Sequence, residues 1–262
     1  MTSVAVSIEG VSKSFDDGHA YAVRNLSLQI GKYEFLALVG GSGSGKTTTL
    51  KMINRLVAQD TGKISVLGRQ TDALAGHDLR RSIGYVFQGV GLFPHMTVAE
   101  NVAVTPKLLG WSRTEIAARV TELLELVELP AAEYGARAPH MLSGGQRQRV
   151  GFARAIAARA SVVLMDEPFG ALDSVTRITL GEAYRRLHDA MGLTTVMVTH
   201  DLTEAVLLAD RIGVMRDGEL VALGEPRSLL KIDNPYVREL FAAPRRQAEE
   251  FRVRLEGAAS SG

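Results

Sequence analysis

Residues 40–48 read GGSGSGKTT, placing Gly40, Gly45, Lys46 and Thr47 on the fixed positions of the pattern G-x-x-x-x-G-K-[ST]. Glycines let a backbone come close to a phosphate, so that several N–H groups can point at it. A helix that starts at the loop adds the positive end of its dipole. Lys46 can reach the β- and γ-phosphates of a nucleotide, and the Thr47 hydroxyl can bind Mg²⁺. The flanks agree with this reading. Residues 34–39, EFLALV, form a short apolar run of strand character, and Leu50, Ile53 and Val57 follow the loop at helical spacing.

Three further stretches carry chemistry. Residues 165–168, MDEP, end an apolar strand on two adjacent carboxylates. Successive strand residues point to opposite sides, so the two acids can have different tasks. Asp166 can hold Mg²⁺, directly or through water, and Glu167 can take a proton from an attacking water. Residues 142–146, LSGGQ, stand before a good helical stretch and make a second anion site at a helix N-terminus. Ser143 adds a hydroxyl there, and Gly144 and Gly145 leave backbone N–H groups unobstructed. Two phosphate-type sites either grip one nucleotide within the chain or complete each other's site across a dimer, and spacing does not choose between these. Gln88 and His200 each end a strand, where ligands gather in α/β sheets. Taken singly each reads as a satisfied structural residue, and the weight of both comes from their company.

The elements that must position these groups are legible as an α/β alternation. Leu26, Leu28 and Ile30 alternate with polar residues, and 62–68 and 83–88 read as short strands. Residues 161–166 and 194–199 return to buried strands, helices follow each, and a strand pair turns at Asp217 and Gly218. Strands alternating with helices argue for a parallel sheet. Thr97–Glu100 and Ser112–Glu115 have capping-box spacing. Behind the second, Ile116, Val120, Leu123, Leu124 and Val127 form an apolar stripe that reads as core packing. Residues from about 89 to about 160 therefore read as a helical subdomain inserted between strands. The tail from Pro244 reads as a short charged helix that frays into disorder.

Composition bounds the rest. The 262 residues are 46% hydrophobic and 23% charged, as in a soluble globular domain. A net charge of +1 gives no basic excess for a nucleic-acid partner, and the absence of cysteine excludes disulfides and thiolate metal sites. The opening MTSVAVSIEG lacks the features of a signal peptide, and no apolar run approaches the roughly 18 residues of a membrane span. Any service to a membrane is therefore expected from the cytoplasmic side and through a partner.

With the 40–48 loop, Gln88, LSGGQ, residues 164–168, residues 171–173 (ALD) and His200 in this order, the sequence resembles an ABC transporter ATPase subunit over residues 4–240. The resemblance implies a P-loop NTPase fold of α/β class: a RecA-like core with an antiparallel β-subdomain and an inserted α-helical subdomain, spanning residues 1–240 ahead of a charged tail at 241–262. It implies two ATP molecules sandwiched in a head-to-tail dimer. The ATP-binding set would be Phe15, stacked on adenine (Tyr21 is the weaker candidate), with Gly40, Gly41, Ser42, Gly43, Ser44, Gly45, Lys46, Thr47 and Thr48. Ser143, Gly144, Gly145 and Gln146 would reach the same ATP from the opposite protomer. Thr47, Gln88 and Asp166 would serve Mg²⁺. Glu167 would be the general base, His200 the switch histidine, Gln88 the sensor of γ-phosphate and partner, and Asp173 a signal across the dimer. Family members often carry proline where this chain has Gly41, which should loosen the start of the loop. The basic pair Arg147 and Arg149 also fits the family and reads as structural or solvated.

A finer resemblance lies in residues 48–56 (TTLKMINRL), 91–97 (GLFPHMT) and 106–111 (PKLLGW), which look like the importers of quaternary amines such as glycine betaine, carnitine and choline. It implies a membrane permease, a paired ATPase and an extracytoplasmic solute-binding protein as partners, at the cytoplasmic face of the plasma membrane. Several such ATPases continue into paired CBS domains. Only a short tail follows here, so regulation by such domains is not expected.

Overall fold

A computed structural model describes residues 3–89 and 91–259. The first third runs β1 (Val4–Ser14), β2 (Tyr21–Gly31), β3 (Phe35–Val39), α1 (Lys46–Ile53), β4 (Thr61–Val66), β5 (Arg69–Gln70), α2 (Gly76–Ser82) and β6 (Ile83–Val86). Four helices follow without a strand: α3 (Val98–Leu108), α4 (Arg113–Leu126), α5 (Ala131–Tyr134) and α6 (Gly144–Ile156). The chain then alternates through β7 (Val162–Asp166), α7 (Ser174–Met191), β8 (Thr194–Val198), α8 (Leu202–Leu208), β9 (Arg211–Arg216), β10 (Glu219–Gly224), α9 (Pro226–Leu229) and α10 (Pro235–Ala259).

Two sheets result. One is antiparallel, in the order β2-β1-β4-β5, and the other runs β10-β9-β3-β8-β7-β6. In the second, β9, β3, β8, β7 and β6 are mutually parallel and β10 returns antiparallel along the edge. The central strands β3, β7 and β8 are buried along their whole length. That is why they read as continuous apolar runs rather than as alternation. Their two faces nevertheless separate with period two. Leu36, Leu38, Leu164 and Val198 join a core with α1 and the antiparallel sheet. Phe35, Ala37, Val39, Val163 and Met165 join a second core beneath the helices.

The helices between β6 and β7 occupy the place expected for the insertion. Both capping boxes form: Thr97 and Glu100 satisfy each other's backbone N–H groups at the start of α3, and Ser112 and Glu115 do so at α4. Val120, Leu123, Leu124 and Val127 are buried, with Ile116 packed against them. Each such side chain contributes roughly 1.5–3 kcal/mol. The C-terminal helix begins earlier than the charge pattern suggests. It starts at Pro235, runs through Pro244, and buries Val237 and Phe241 against the core. The expected break at residue 241 thus falls inside α10, because two apolar anchors outweigh the charged composition around them. Ser260, Ser261 and Gly262, part of the expected fraying end, lie outside the described residues. Among the described residues no helix is long and apolar enough to cross a membrane.

Candidate nucleotide site

Four adjacent parallel strands, β3, β8, β7 and β6, deliver the candidate residues to one edge of the sheet. The phosphate loop leaves β3, Gln88 follows β6, Glu167 follows β7 and His200 follows β8. The loop depends on glycine at two positions above all. A Cβ on Gly40 (φ 151°) would lie 2.1 Å from the Met215 carbonyl oxygen, and one on Gly45 (φ 96°) would lie 2.3 Å from that of Ala22. Neither backbone can retreat, since Met215 is in β9 and Ala22 in β2. Gly45 is also the left-handed residue from which α1 begins.

Inside the loop the Lys46 ammonium is almost fully buried and donates to Gly40 O at 2.9 Å, Gly41 O at 2.8 Å and Ser44 Oγ at 3.3 Å. Burial lowers its pKa, while the charges of Glu167 and Asp166 act in the opposite direction. Ser44 is buried, and Ser42 and Gly43 stand exposed at the tip. Thr48 is half-buried in the first turn of α1.

The two carboxylates separate as their neighbouring positions suggest. Asp166, buried at the end of β7, accepts a 2.9 Å hydrogen bond from the Thr47 hydroxyl. Glu167 has left the strand into a left-handed conformation (φ 44°), and its N–H still donates to Val198 O at 2.9 Å. Its two carboxylate oxygens are held separately. Gln88 Nε2 donates to Oε2 at 3.1 Å, and His200 Nδ1 lies 3.3 Å from Oε1. Gln88, Glu167 and His200 are therefore one cluster, and Lys46, Thr47 and Asp166 form a second beside it.

The two aromatic candidates are placed differently. Phe15 lies just beyond β1, 67% exposed, with the Lys13 ammonium 5.3 Å from its ring centre. Tyr21 opens β2, immediately before the Ala22 carbonyl that abuts Gly45.

LSGGQ sits apart. Ser143 caps α6 through a reciprocal box: its Oγ accepts from Gln146 N at 3.2 Å, and Gln146 Oε1 accepts from Ser143 N at 2.9 Å. Gly144 and Gly145 face Leu172 and Thr176, at the start of α7. There Asp173 caps the helix by accepting from Thr176 N at 3.0 Å, and the Thr176 backbone and hydroxyl hold its carboxyl below the usual range. Among the described residues no hydrogen bond or ion pair joins 142–146 to the 40–48 loop.

A family model described as ABC transporter matches residues 23–170. The chain belongs to the ABC transporter family. It is 48% identical over 226 residues to the choline transport ATP-binding protein OpuBA of Bacillus subtilis (strain 168), covering 86% of this chain and 59% of OpuBA. It is 49% identical over 232 residues to the glycine betaine uptake system ATP-binding protein YehX of Escherichia coli (strain K12), covering 88% of this chain and 74% of YehX. The chain thus spans about three fifths of the length of OpuBA. Its fold is like that of the dimeric ATP-binding cassette MJ0796 in a post-hydrolysis state bound to ADP and Pi. The TM-score is 0.74 at 34% identity, with 84% of this chain and 98% of that one covered. The P-loop architecture with an antiparallel β-subdomain accords with that likeness.

The ABC transporter fold also brings in residues that the motifs did not announce. Tyr85, from β6, is half-buried, and burial foremost, with the charge of nearby Asp166, pushes its hydroxyl pKa above the usual tyrosine range. Thr199 donates to Glu204 Oε2 at 2.6 Å and accepts from Asp201 N at 3.0 Å, so that it braces the turn carrying His200. Burial raises the Glu204 pKa, with the Thr199 bond opposing. Beside Gln88 a cavity of about 530 Å³ is lined by Leu56, Arg80, Arg81, Phe87, Phe93 and Arg154. A strand register reveals Tyr85, since it pairs with Leu164, two residues before Asp166. No spacing in the sequence reports that pairing.

Proposed function

We propose that this chain is the ATP-binding and ATP-hydrolysing subunit of an ABC importer, powering uptake of a quaternary-amine osmoprotectant such as glycine betaine, carnitine or choline through a membrane permease. The observation that carries the reading is the paired arrangement of Thr47 on Asp166 and of Gln88 and His200 on Glu167. The likeness to the choline and glycine betaine relatives supports the solute class.

The residues present fit the groups the reading needs. The 40–46 loop already encloses a buried ammonium among its own carbonyls. On ATP binding, Lys46 exchanges those carbonyls for β- and γ-phosphate oxygens, and the loop N–H groups face the phosphates. Phe15, exposed at the end of β1, stacks on adenine. Thr47 Oγ1 and Asp166 are hard oxygen ligands that suit Mg²⁺, and Gln88, held on the neighbouring Glu167, would supply its amide oxygen as a third. Bound there, Mg²⁺ would neutralise charge on the phosphates. Glu167 takes the proton of the attacking water. Gln88 and His200 hold its two oxygens apart and fix the direction of the free lone pairs, and His200 senses the γ-phosphate.

Ser143, Gly144, Gly145 and Gln146 act on the ATP of a second protomer in a head-to-tail dimer. That no hydrogen bond or ion pair joins them to the 40–48 loop among the described residues supports that arrangement, and Asp173, close in sequence to Thr176 on which Gly145 packs, carries the signal across. The cavity next to Gln88 is the permease docking groove. Its exposed Phe87 and Phe93, with Arg80 and Arg81 at the rim, suit an amphipathic partner segment with acidic residues. The subunit would then sit at the cytoplasmic face of the membrane, held by the permease and supplied by an extracytoplasmic solute-binding protein.

The test is uptake of labelled glycine betaine and choline at high external osmolarity in a strain lacking this subunit. Wild type is expected to restore uptake and Glu167→Gln is not. If wild type restores none with permease and binding protein present, the assignment of these solutes is wrong.

A further inference from the structure

One peptide group in the phosphate loop, that between Gly40 and Gly41, is held at both polar ends. Its carbonyl, Gly40 O, accepts from Lys46 Nζ at 2.9 Å. Its N–H, on Gly41, donates to the Tyr236 hydroxyl at 2.9 Å, across 195 residues of sequence. Tyr236 comes from the first turn of α10, and three contacts fix its place. Asn234 Oδ1 accepts from Tyr236 N at 3.0 Å and from Val237 N at 3.2 Å, capping the helix start. Val237 and Phe241 anchor the helix in the core. The Arg216 guanidinium packs 4.9 Å from the Tyr236 ring centre. Arg216 directly follows Met215, the residue whose carbonyl closes on Gly40.

The two restraints differ in what ATP does to them. Lys46 must leave Gly40 O in order to reach the phosphates. The Tyr236 bond does not compete with that movement. Glycine on both sides of the peptide offers no side-chain barrier to its rotation.

We propose that Tyr236 is a positioning residue for nucleotide binding: it keeps the Gly40–Gly41 peptide in one orientation while Lys46 turns from the loop to the phosphates. The role rests on the ATP-binding reading above. The loop then meets ATP already ordered, and less conformational freedom is lost on binding. Tyr236 touches neither Glu167 nor the groups around it, so its contribution belongs to binding and not to the chemical step.

The experiment is Tyr236→Phe in the full chain, which keeps the ring and its packing on Arg216. Loss of one hydrogen bond should weaken ATP binding by about three- to tenfold. The KM for ATP should rise to match, with kcat unchanged and the thermal midpoint within a degree or so of wild type. Amide hydrogen exchange at Gly41 should speed up in the variant without nucleotide, while the amides of α10 keep their wild-type rates. Unchanged ATP affinity, or unchanged exchange at Gly41, overturns the inference while leaving ATP binding by wild type intact. A lowered midpoint with kcat and affinity falling together would mean that Tyr236 only packs α10. Tighter binding would mean that the hydroxyl competes with phosphate for the N–H, which is also contrary to the proposal. If wild type binds no ATP, the reading and the inference fall together.

Discussion

The two glycine-rich loops of this chain are built alike and left in opposite states. Both open a helix, and both present small residues at its start. The 40–48 loop finds its partners inside the chain: Lys46 on its carbonyls, Thr47 on Asp166, Tyr236 on Gly41. The 142–146 loop spends its side chains on its own cap, Ser143 and Gln146 satisfying each other. Its two glycines face the side chains of Leu172, Arg147 and Thr176. One loop is held by groups from elsewhere in its own chain. The other is held by its own cap, and on the proposal above it is the half-site that serves a neighbour.

The sharpest way to break this comparison is Glu167→Gln. It should lower ATP turnover by about 10²–10⁴-fold, the usual contribution of a general base, with ATP affinity retained and a closed dimer favoured. Near-normal turnover, measured by phosphate release, would remove Glu167 from the role.

Alanine at the two kinds of glycine should separate the loops next. Gly45→Ala sets a Cβ against the Ala22 carbonyl in left-handed backbone and should cost roughly 3 kcal/mol of stability. At Gly145 the new methyl meets only the Thr176 side-chain methyl at 2.9 Å, which can shift. Gly145→Ala should therefore stay within about 1 kcal/mol of wild type, yet suppress turnover, because the partner's ATP loses its close approach. Urea unfolding and turnover measured together check both halves of this expectation.

A smaller effect is expected at Ser143→Ala, which removes the α6 cap for about 1 kcal/mol. ATP binding to the isolated protomer should be unchanged and ATP-dependent dimerisation weakened. Equal loss of monomer binding would place LSGGQ in the same cleft as the 40–48 loop and end the contrast.

The smallest effect lies away from both loops. His188 is 1% exposed; its Nδ1 is 2.9 Å from Thr195 Oγ1 and its Nε2 is 3.3 Å from Tyr33 O. A carbonyl only accepts, so Nε2 carries the proton and Thr195 donates to Nδ1, with the Tyr184 hydroxyl donating to Thr195 in turn at 2.9 Å. Burial foremost, then the Arg185 charge, lowers the His188 pKa below 6.5, opposed by Tyr33 O, Asp189 and Asp210. The unfolded chain therefore binds a proton that the folded chain resists. Stability from this group is complete above about pH 6.5 and is lost as pH falls toward the lowered value. His188→Gln should flatten that slope in urea midpoints measured from pH 5 to 8, without altering ATP affinity at pH 7.5.

Much of the site was legible because its chemistry is local. A loop that cradles phosphate needs its glycines, lysine and threonine within nine consecutive residues, and a strand that ends in Asp166 and Glu167 displays both acids side by side. The strands around them were readable from buried apolar runs, and the inserted helices from capping boxes and a 3.6-residue stripe. Charge pattern misled only at the C-terminus, where Val237 and Phe241 carry α10 back onto the core. Sequence alone therefore determined the set of groups, the α/β alternation that carries them and the family they belong to. Tertiary structure decided which groups meet. Gln88, Glu167 and His200 converge because β6, β7 and β8 lie side by side in register. Tyr85 comes within the field of Asp166 across a strand pair, and Tyr236 reaches Gly41 from the far end of the chain. Those contacts depend on strand order and helix packing, which join residues with no fixed spacing between them.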